Sequence, residues 1–289
     1  MTSRHTTQSL ERRLGDAARR RLPLPLAELA MFTLKQGWAC LFGALMLAGL
    51  ILSDALWQPH WTLARYDALV IYAITVQALF LIFKLESYAE FRVILLFHAT
   101  GTVMEIFKVH AGSWSYPEAG LLKIMDVPLF SGFMYASIGS FIARVIRIFD
   151  MRFAPYPPFW ITVLFGIAAY LNFFTHHFTW DIRWVLFAGS VLLFARTRVW
   201  FRISPHTSYW MPLPLAALLT SFFLWVAENV GTGTGTWLYA GTDRFSLVSL
   251  SKLGSWYLLL YVSFVTVTLL LRDALIPHPL TANYKKPRQ

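Results

Sequence analysis

Charge is the first scarcity in this sequence. Asp, Glu, Lys and Arg make up 14% of its 289 residues, against about 25% in an ordinary soluble protein, too little to cover a water-exposed surface of this size. Acids are scarcer still, 15 against 25 Lys and Arg. The net charge of +10 does not point to nucleic acid, because the basic residues fall between apolar runs instead of forming a patch with interleaved aromatics. Cys40 is the single cysteine, which excludes a disulfide framework and a thiolate metal site. An HExxH signature, a serine-histidine-acid triad motif and a dinucleotide fingerprint are also missing, so no cofactor or metal is assigned. The arginine-rich first thirty residues hold no clean apolar stretch ending in a small-residue cleavage site, and no cleavable signal peptide is expected.

What the chain has in quantity is apolar surface: 57% hydrophobic residues and 17% aromatic, with a mean hydropathy of +0.53. Eight apolar runs approach the ~20 helical residues that cross a hydrocarbon layer. They are Gln36 to Ser53, Asp67 to Phe83, Phe91 to Phe107, Val127 to Ile146, Pro158 to Phe174, Ile182 to Ala195, Pro212 to Val230 and Leu250 to Leu271. The expected fold is all-α, a polytopic membrane protein of about eight transmembrane helices. With the N-terminus inside, 19 of the 25 Lys and Arg fall on cytoplasmic segments, the bias that the positive-inside rule requires. An even number of spans puts the C-terminus inside as well. The expected location is the bacterial inner (cytoplasmic) membrane. The N-terminal segment, with Arg12, Arg13, Arg19, Arg20 and Arg21 around Leu10, Leu14 and Ala18, is either a basic amphipathic helix on anionic lipid or a solvated tail that fixes topology.

A spacing occurs twice. Glu105 is followed by Gly112, Trp114 and Tyr116, and Glu228 by Gly235, Trp237 and Tyr239, so both copies read E-x6-G-x-W-x-Y. Each copy then enters a further helix through an aromatic pair of positions, Met134 and Tyr135 or Trp256 and Tyr257. The chain therefore divides into a basic tail (1–35), a four-helix repeat (36–153), a second four-helix repeat (154–273) and a C-terminal tail (274–289), the two repeats running parallel. At ~1.5 Å per residue, Glu105 stands roughly 20 Å above Arg92, and Glu228 roughly 25 Å above Met211. Both acids then lie in the outer part of the bilayer, where an ionisable group pairs, faces a cavity or stays protonated, and is a functional-site candidate. The plain alternative pairs Glu105 with Lys108 one turn away and leaves Glu228 at the interface beside Asn229. His98, seven residues before Glu105, shares its helix face and is read as a proton relay or as an interhelical hydrogen-bonding residue.

Other polar residues carry weaker signals. His60, His110, His176, His177 and Asp181 gather on the outer side, and His177 and Asp181 have the i, i+4 spacing of two metal ligands if that stretch is helical. Asp126, before Val127 and Pro128, reads as a helix N-cap. The glycine-threonine run 231–236 reads as a close-packing turn rather than a phosphate cradle.

Taken whole, the chain resembles the bacterial family of YoaT-like multi-pass membrane proteins, domain of unknown function 817. The residues that carry this are Glu105 through Tyr116, Val127-Pro128-Leu129, and Glu228-Asn229 through Trp237. The resemblance implies a membrane location and no established activity. The stretch from Glu105 to Pro117, with Gly120 and Val127-Pro128-Leu129, also resembles the membrane lycopene cyclases and carotenoid hydratases. Glu105 would correspond to their leading acid, and Glu228 with Gly231, Thr234 and Gly235 resembles the hydratase form of it. The cyclases place paired glutamates after the proline-leucine step, where this chain has Phe130 and Ser131.

Three functions remain open. In the first, the protein binds or modifies a polyprenyl or carotenoid-like lipid. Glu105, Glu228 and His98 are then the acid-base groups, and Trp114, Tyr116, Trp237, Tyr239 and Asn229 the substrate-binding ones. The aromatic rings would stabilise a carbocation by about 0.5–2 kcal/mol each. In the second, the same acids load and unload protons in a proton-coupled transporter. The third is a structural membrane protein. The expected partners are membrane lipids and a hydrophobic small molecule; the oligomeric state does not follow from the sequence.

Overall fold

The computed structural model describes residues 13–58, 60–204 and 207–275. The tail residues 1–12 and 276–289 lie outside the described residues. The chain is mostly helical. After helical residues 13–21 come α1 (Leu24–Ala39), α2 (Leu41–Leu56), α3 (Arg65–Ile82), α4 (Tyr88–His110), α5 (Phe130–Ile148), α6 (Phe159–Thr175), α7 (Arg183–Phe194), α8 (Leu213–Gly233) and α9 (Leu250–Leu270). The local signals are ordinary ones. Pro25 and Pro214 sit in the first turns of α1 and α8, where a missing N–H costs nothing. Ser87 and Glu90 close a reciprocal capping box at the start of α4, satisfying two of its free N–H groups.

Four helices, α3, α4, α8 and α9, are long and apolar enough to cross a membrane, and α1 with α2 makes a fifth candidate if that bent pair is one span. The eight expected runs are therefore not eight long apolar helices. The first, Gln36 to Ser53, is broken between Ala39 and Leu41 by a 67° bend. Lys35 holds α1 down by donating to the carbonyls of Arg202 and Ile203, both at 3.2 Å. Two others, α6 and α7, are shorter than a span, and α5 carries Arg144 and Arg147 in its last turns. The exposed faces are nonetheless apolar. Trp160, Leu164, Ile167 and Leu171 on α6, and Leu215, Leu218, Phe222 and Val226 on α8, form exposed stripes at helical spacing that water would not tolerate over such an area.

The all-α expectation needs a correction as well. Strands β4 (Arg152–Ala154), β5 (Arg198–Ser204) and β6 (Thr207–Pro212) form an antiparallel three-stranded sheet where plain cytoplasmic loops were expected. The pattern was available in the sequence. Val199, Phe201 and Ile203 alternate with Arg198, Trp200 and Arg202, and the first set is buried while the second is not, the period-two signature of a half-buried strand. Asp126 is not a helix cap either. Met125 and Asp126 both have positive φ, 48° and 65°, and make the tight turn between β2 (Lys123–Ile124) and β3 (Val127–Pro128), a turn geometry that suits hairpins.

The segments at and beyond the ends of α2, α4, α6 and α8 are drawn together by side-chain contacts, Asp54 with Arg244, Arg65 with Glu118 and Thr236, and Lys108 with His177, while the three-stranded sheet gathers the segments that follow α5 and α7. Close backbone approach fixes the central pair, α4 and α5. A methyl group added at Gly101 would meet Tyr135 Cβ at 2.6 Å, and one at Gly139 would meet Phe97 at 2.7 Å, so small residues set the spacing of these helices.

Candidate functional site

The E-x6-G-x-W-x-Y spacing acquires a physical explanation in three dimensions. Each copy starts with a glutamate in the closing turns of a helix, Glu105 in α4 and Glu228 in α8. Gly112 and Gly235 then take positive φ, 68° and 64°, conformations open to glycine at little cost. The backbone closes identically in both copies. Ser113 N donates to Lys108 O at 3.0 Å and Gly112 N to Val109 O at 3.0 Å; Thr236 N donates to Gly231 O at 3.1 Å and Gly235 N to Thr232 O at 2.9 Å. This is the helix-ending motif that satisfies the last carbonyls, and it turns the chain back across its own helix. Two residues further on and four residues further on, tryptophan and tyrosine fall on one side of an extended segment.

That side faces the glutamate. Trp114 Nε1 and Tyr116 Oη donate to Glu105 Oε2 at 2.7 and 2.8 Å, and Tyr135 Oη from α5 donates to Glu105 Oε1 at 2.7 Å. Trp237 Nε1 and Tyr239 Oη donate to Glu228 Oε1 at 2.8 and 2.6 Å, while Trp256 Nε1 from α9 donates to Oε2 at 3.1 Å. Each carboxyl group thus accepts three hydrogen bonds from aromatic side chains, and is only 3% or 7% exposed. Burial and the neighbouring carboxylate raise the Tyr116 and Tyr239 phenols well above their ordinary range, which keeps both protonated as donors.

The two clusters meet. Strand β1 (Trp114–Ser115) pairs antiparallel with β7 (Leu238–Tyr239), with Trp114 opposite Tyr239 and Ser115 opposite Leu238. Ser115 and Leu238 occupy the same place in their two motifs, so the register is symmetric. The Trp114 and Tyr239 rings are 5.8 Å apart edge to face, and Tyr135 and Trp256 are 6.2 Å apart. A polar frame fixes the loops from α3: Arg65 bonds Glu118 at 2.8 Å and Thr236 Oγ1 at 2.7 Å, Tyr66 Oη donates to Thr236 O at 2.8 Å, and Asp67 accepts from Leu121 N and Leu122 N at 2.9 and 2.8 Å. Arg244 joins Asp54 to Gly233 O.

Both acids and all six aromatic donors line one elongated cavity of ≈ 950 Å³, whose walls are largely apolar and reach Phe153, Phe201 and Met211 beside the sheet. Two expected site residues do not join them. Asn229 turns away, donating to Trp225 O at 2.7 Å and accepting from Val248 N at 2.9 Å; it pins the start of α9. His98 packs 4.5 Å from the Phe133 ring, with Nδ1 directed at Gly132, where an added methyl group would come within 2.5 Å. It belongs to the α4–α5 contact, and among the described residues it makes no hydrogen bond to Glu105 that would link the two as a relay. The alternative pairing of Glu105 with Lys108 is not formed either: Lys108 Nζ lies 2.9 Å from His177 Nε2. Residues 176–178 form a turn rather than a helix, so His177 and Asp181 do not share a face. Asp181 binds Arg183 and, at 3.1 Å, Asn172 Nδ2.

Sequence reasoning placed Tyr135 and Trp256 at the entry of their helices without giving them a role. The signal was their distance from the acids, 30 and 28 residues downstream. It also passed over a buried cluster at the sheet end, where Glu86 accepts from Gln77 Nε2 and Ser140 Oγ at 2.8 and 2.7 Å beside the Glu90–Arg147 ion pair.

A family model described as "Protein of unknown function (DUF817)" matches residues 28–264, a range that includes both motifs and all six donors. The chain is similar to the Uncharacterized protein YoaT of Bacillus subtilis (strain 168), 42% identical over 243 residues that cover 84% of this chain and 91% of that relative. No solved structure matches it. The carotenoid-enzyme resemblance gains no support from these matches. Two glutamates, each clasped by three aromatic donors in one cavity, thus lie within a chain that belongs to the DUF817 family.

Proposed function

We propose that this protein is a multi-pass membrane protein that holds an apolar chain, of polyprenyl type, in the cavity beside Glu105 and Glu228 and performs acid-base chemistry on it. The observation that carries the reading is the pair of buried carboxyl groups, each held by three aromatic donors on the wall of one largely apolar ≈ 950 Å³ cavity. An ionised carboxylate has about four acceptor positions, so three fixed donors leave one open toward a proton. One protonated carboxyl can deliver its proton to a carbon of a C=C bond, leaving a carbocation on the other carbon. The neighbouring carboxylate can then remove a proton from the next carbon. The sum is an isomerisation or ring closure that consumes no oxidant or reductant. The faces of Trp114, Tyr116, Trp237 and Tyr239 would stabilise the cation by about 0.5–2 kcal/mol each.

In this reading the chain crosses the inner membrane eight times, with both termini inside, as two parallel four-helix repeats over 36–153 and 154–273. The symmetric β1·β7 register and the Lys and Arg bias support it. The short α6 and α7 would then span a locally thinned bilayer. Proton-coupled transport is a second reading, favoured by the reach of the cavity from Lys108 and His177 at one end to Phe201 and Met211 at the other.

The test compares lipids that co-purify with wild type and with Glu105→Gln, Glu228→Gln. An isoprenoid that accumulates unmodified in the variant is the expected result. Identical extracts with no apolar ligand in either sample would end the lipid reading. Unchanged lipids together with loss of proton-driven solute uptake would instead establish transport.

A further inference from the structure

The cavity is apolar along most of its length but cationic where it opens between the loops. Lys108 is only 2% exposed. Its ammonium group lies 2.9 Å from His177 Nε2 and 4.0 Å from the centre of the Phe173 ring. Lys252 stands 4.0 Å over the Tyr239 ring and 5.8 Å from that of Trp114. Among the described residues neither lysine has a carboxylate within ion-pairing distance; Arg183 repels both, Lys252 also repels Lys108, and the Glu228 carboxyl group attracts Lys252 from further off. Of the nearby acids, Asp181 pairs with Arg183, and Glu105 and Glu228 accept their hydrogen bonds from aromatic side chains and none from a lysine. Ser113, His176 and Arg183 line the same opening. A buried cation without an ion pair is expensive to maintain; Lys108 is one, and with the half-buried Lys252 beside it at the mouth of an apolar chamber it calls for an anion supplied from outside the chain.

We infer that the mouth formed by Lys108, Lys252 and His177 binds an oxyanion, phosphate or carboxylate, carried as the head group of an amphiphile whose apolar chain fills the chamber. The inference rests on the chamber reading above and adds the polar half of the ligand. The two ammonium groups offer charge-assisted donors to one oxyanion, with Lys108 oriented by donating to His177 Nε2, while the walls below accept only hydrocarbon.

The test is a binding series on the purified full-length protein in a neutral detergent, using farnesyl phosphate, farnesol and inorganic phosphate. Farnesyl phosphate should bind about tenfold more tightly than farnesol, the size of one charge-assisted hydrogen bond. Lys108→Gln and Lys252→Gln should each remove most of that advantage and leave farnesol binding unchanged, while Lys252→Arg keeps it. If Lys108→Gln does not fold, the Lys252 pair carries the comparison. Equal binding of farnesol and farnesyl phosphate by wild type would overturn the cationic mouth while leaving the chamber intact. Inorganic phosphate binding as tightly as farnesyl phosphate would overturn the amphiphile in favour of a free anion. Binding of none of the three would sink the chamber reading and this inference with it.

Discussion

At the scale of single residues, the clasp around each carboxyl group depends on glycines as much as on the donors. A methyl group at Gly231 would lie 1.9 Å from Trp237 Cη2, so Gly231→Ala must displace the indole that donates to Glu228. Depriving a buried acceptor of its donor costs about 1–3 kcal/mol, and overpacking a close contact costs about 1–3 kcal/mol more. Gly233 has nothing within 4 Å of such a methyl group, and Gly233→Ala should match wild type. Thermal unfolding in detergent, followed by tryptophan fluorescence, separates the two; equal midpoints would mean that the Trp237 clasp does not depend on Gly231. Much of this was legible in one dimension. The two-residue step from tryptophan to tyrosine is a strand period and the repeated offset from acid to glycine is a helix end, so local geometry alone brings them back onto the acid. Tyr135 and Trp256 were visible as residues but not as donors, because the contact that gives them their role joins separate helices. Asn229 and His98 misled for the same reason: proximity in sequence to Glu228 and Glu105 says nothing about which way a side chain leaves its helix.

Among elements, the turn between α3 and α4 shows how a buried acid couples two helices to a third. Glu86 is buried there and accepts from Gln77 of α3 and Ser140 of α5. Burial raises its pKa, the hydrogen bonds and Arg144 opposing the shift and Glu90 adding to it. The folded protein therefore binds this proton more tightly than the unfolded chain does. The stabilisation is fully present below the ordinary glutamate range and is lost as pH rises through the raised value. Unfolding of wild type measured from acidic to neutral pH should show this decline, and Glu86→Gln should flatten it; an unchanged slope in the variant would remove Glu86 as its source. The sheet carries a different lesson. Alternation over Arg198 to Ser204 announced a strand, but that stretch stood between two apolar runs and its arginines suited a membrane-flanking loop equally well. Pairing with β4 and β6, and the seat it offers to α1 through Lys35, exist only once distant segments are assembled. The break at Cys40 has the same origin, since nothing in the run from Gln36 to Ser53 marks a bend.

For the whole molecule, the arrangement makes a direct statement about topology. Ser115 and Thr242 are exposed and lie on the two segments that meet at β1 and β7. In a Cys40→Ala background, cysteine at either position should react with an impermeant maleimide added to intact cells. Reaction at one position and not the other would break the shared orientation of the repeats, and reaction only after permeabilisation would invert it. Composition by itself determined that the chain carries helices apolar enough to cross a membrane, because only 14% of its residues are charged, and the repeated spacing determined which two acids meet a tryptophan and a tyrosine, because helix end, turn and strand are all set within twelve residues. The cavity, the third donor to each carboxyl group and the place of Lys108 and Lys252 on the cavity wall were decided only by the tertiary structure. Each is a relation between residues on different helices, and a one-dimensional pattern fixes which face of a helix is apolar without fixing which neighbour that face will meet.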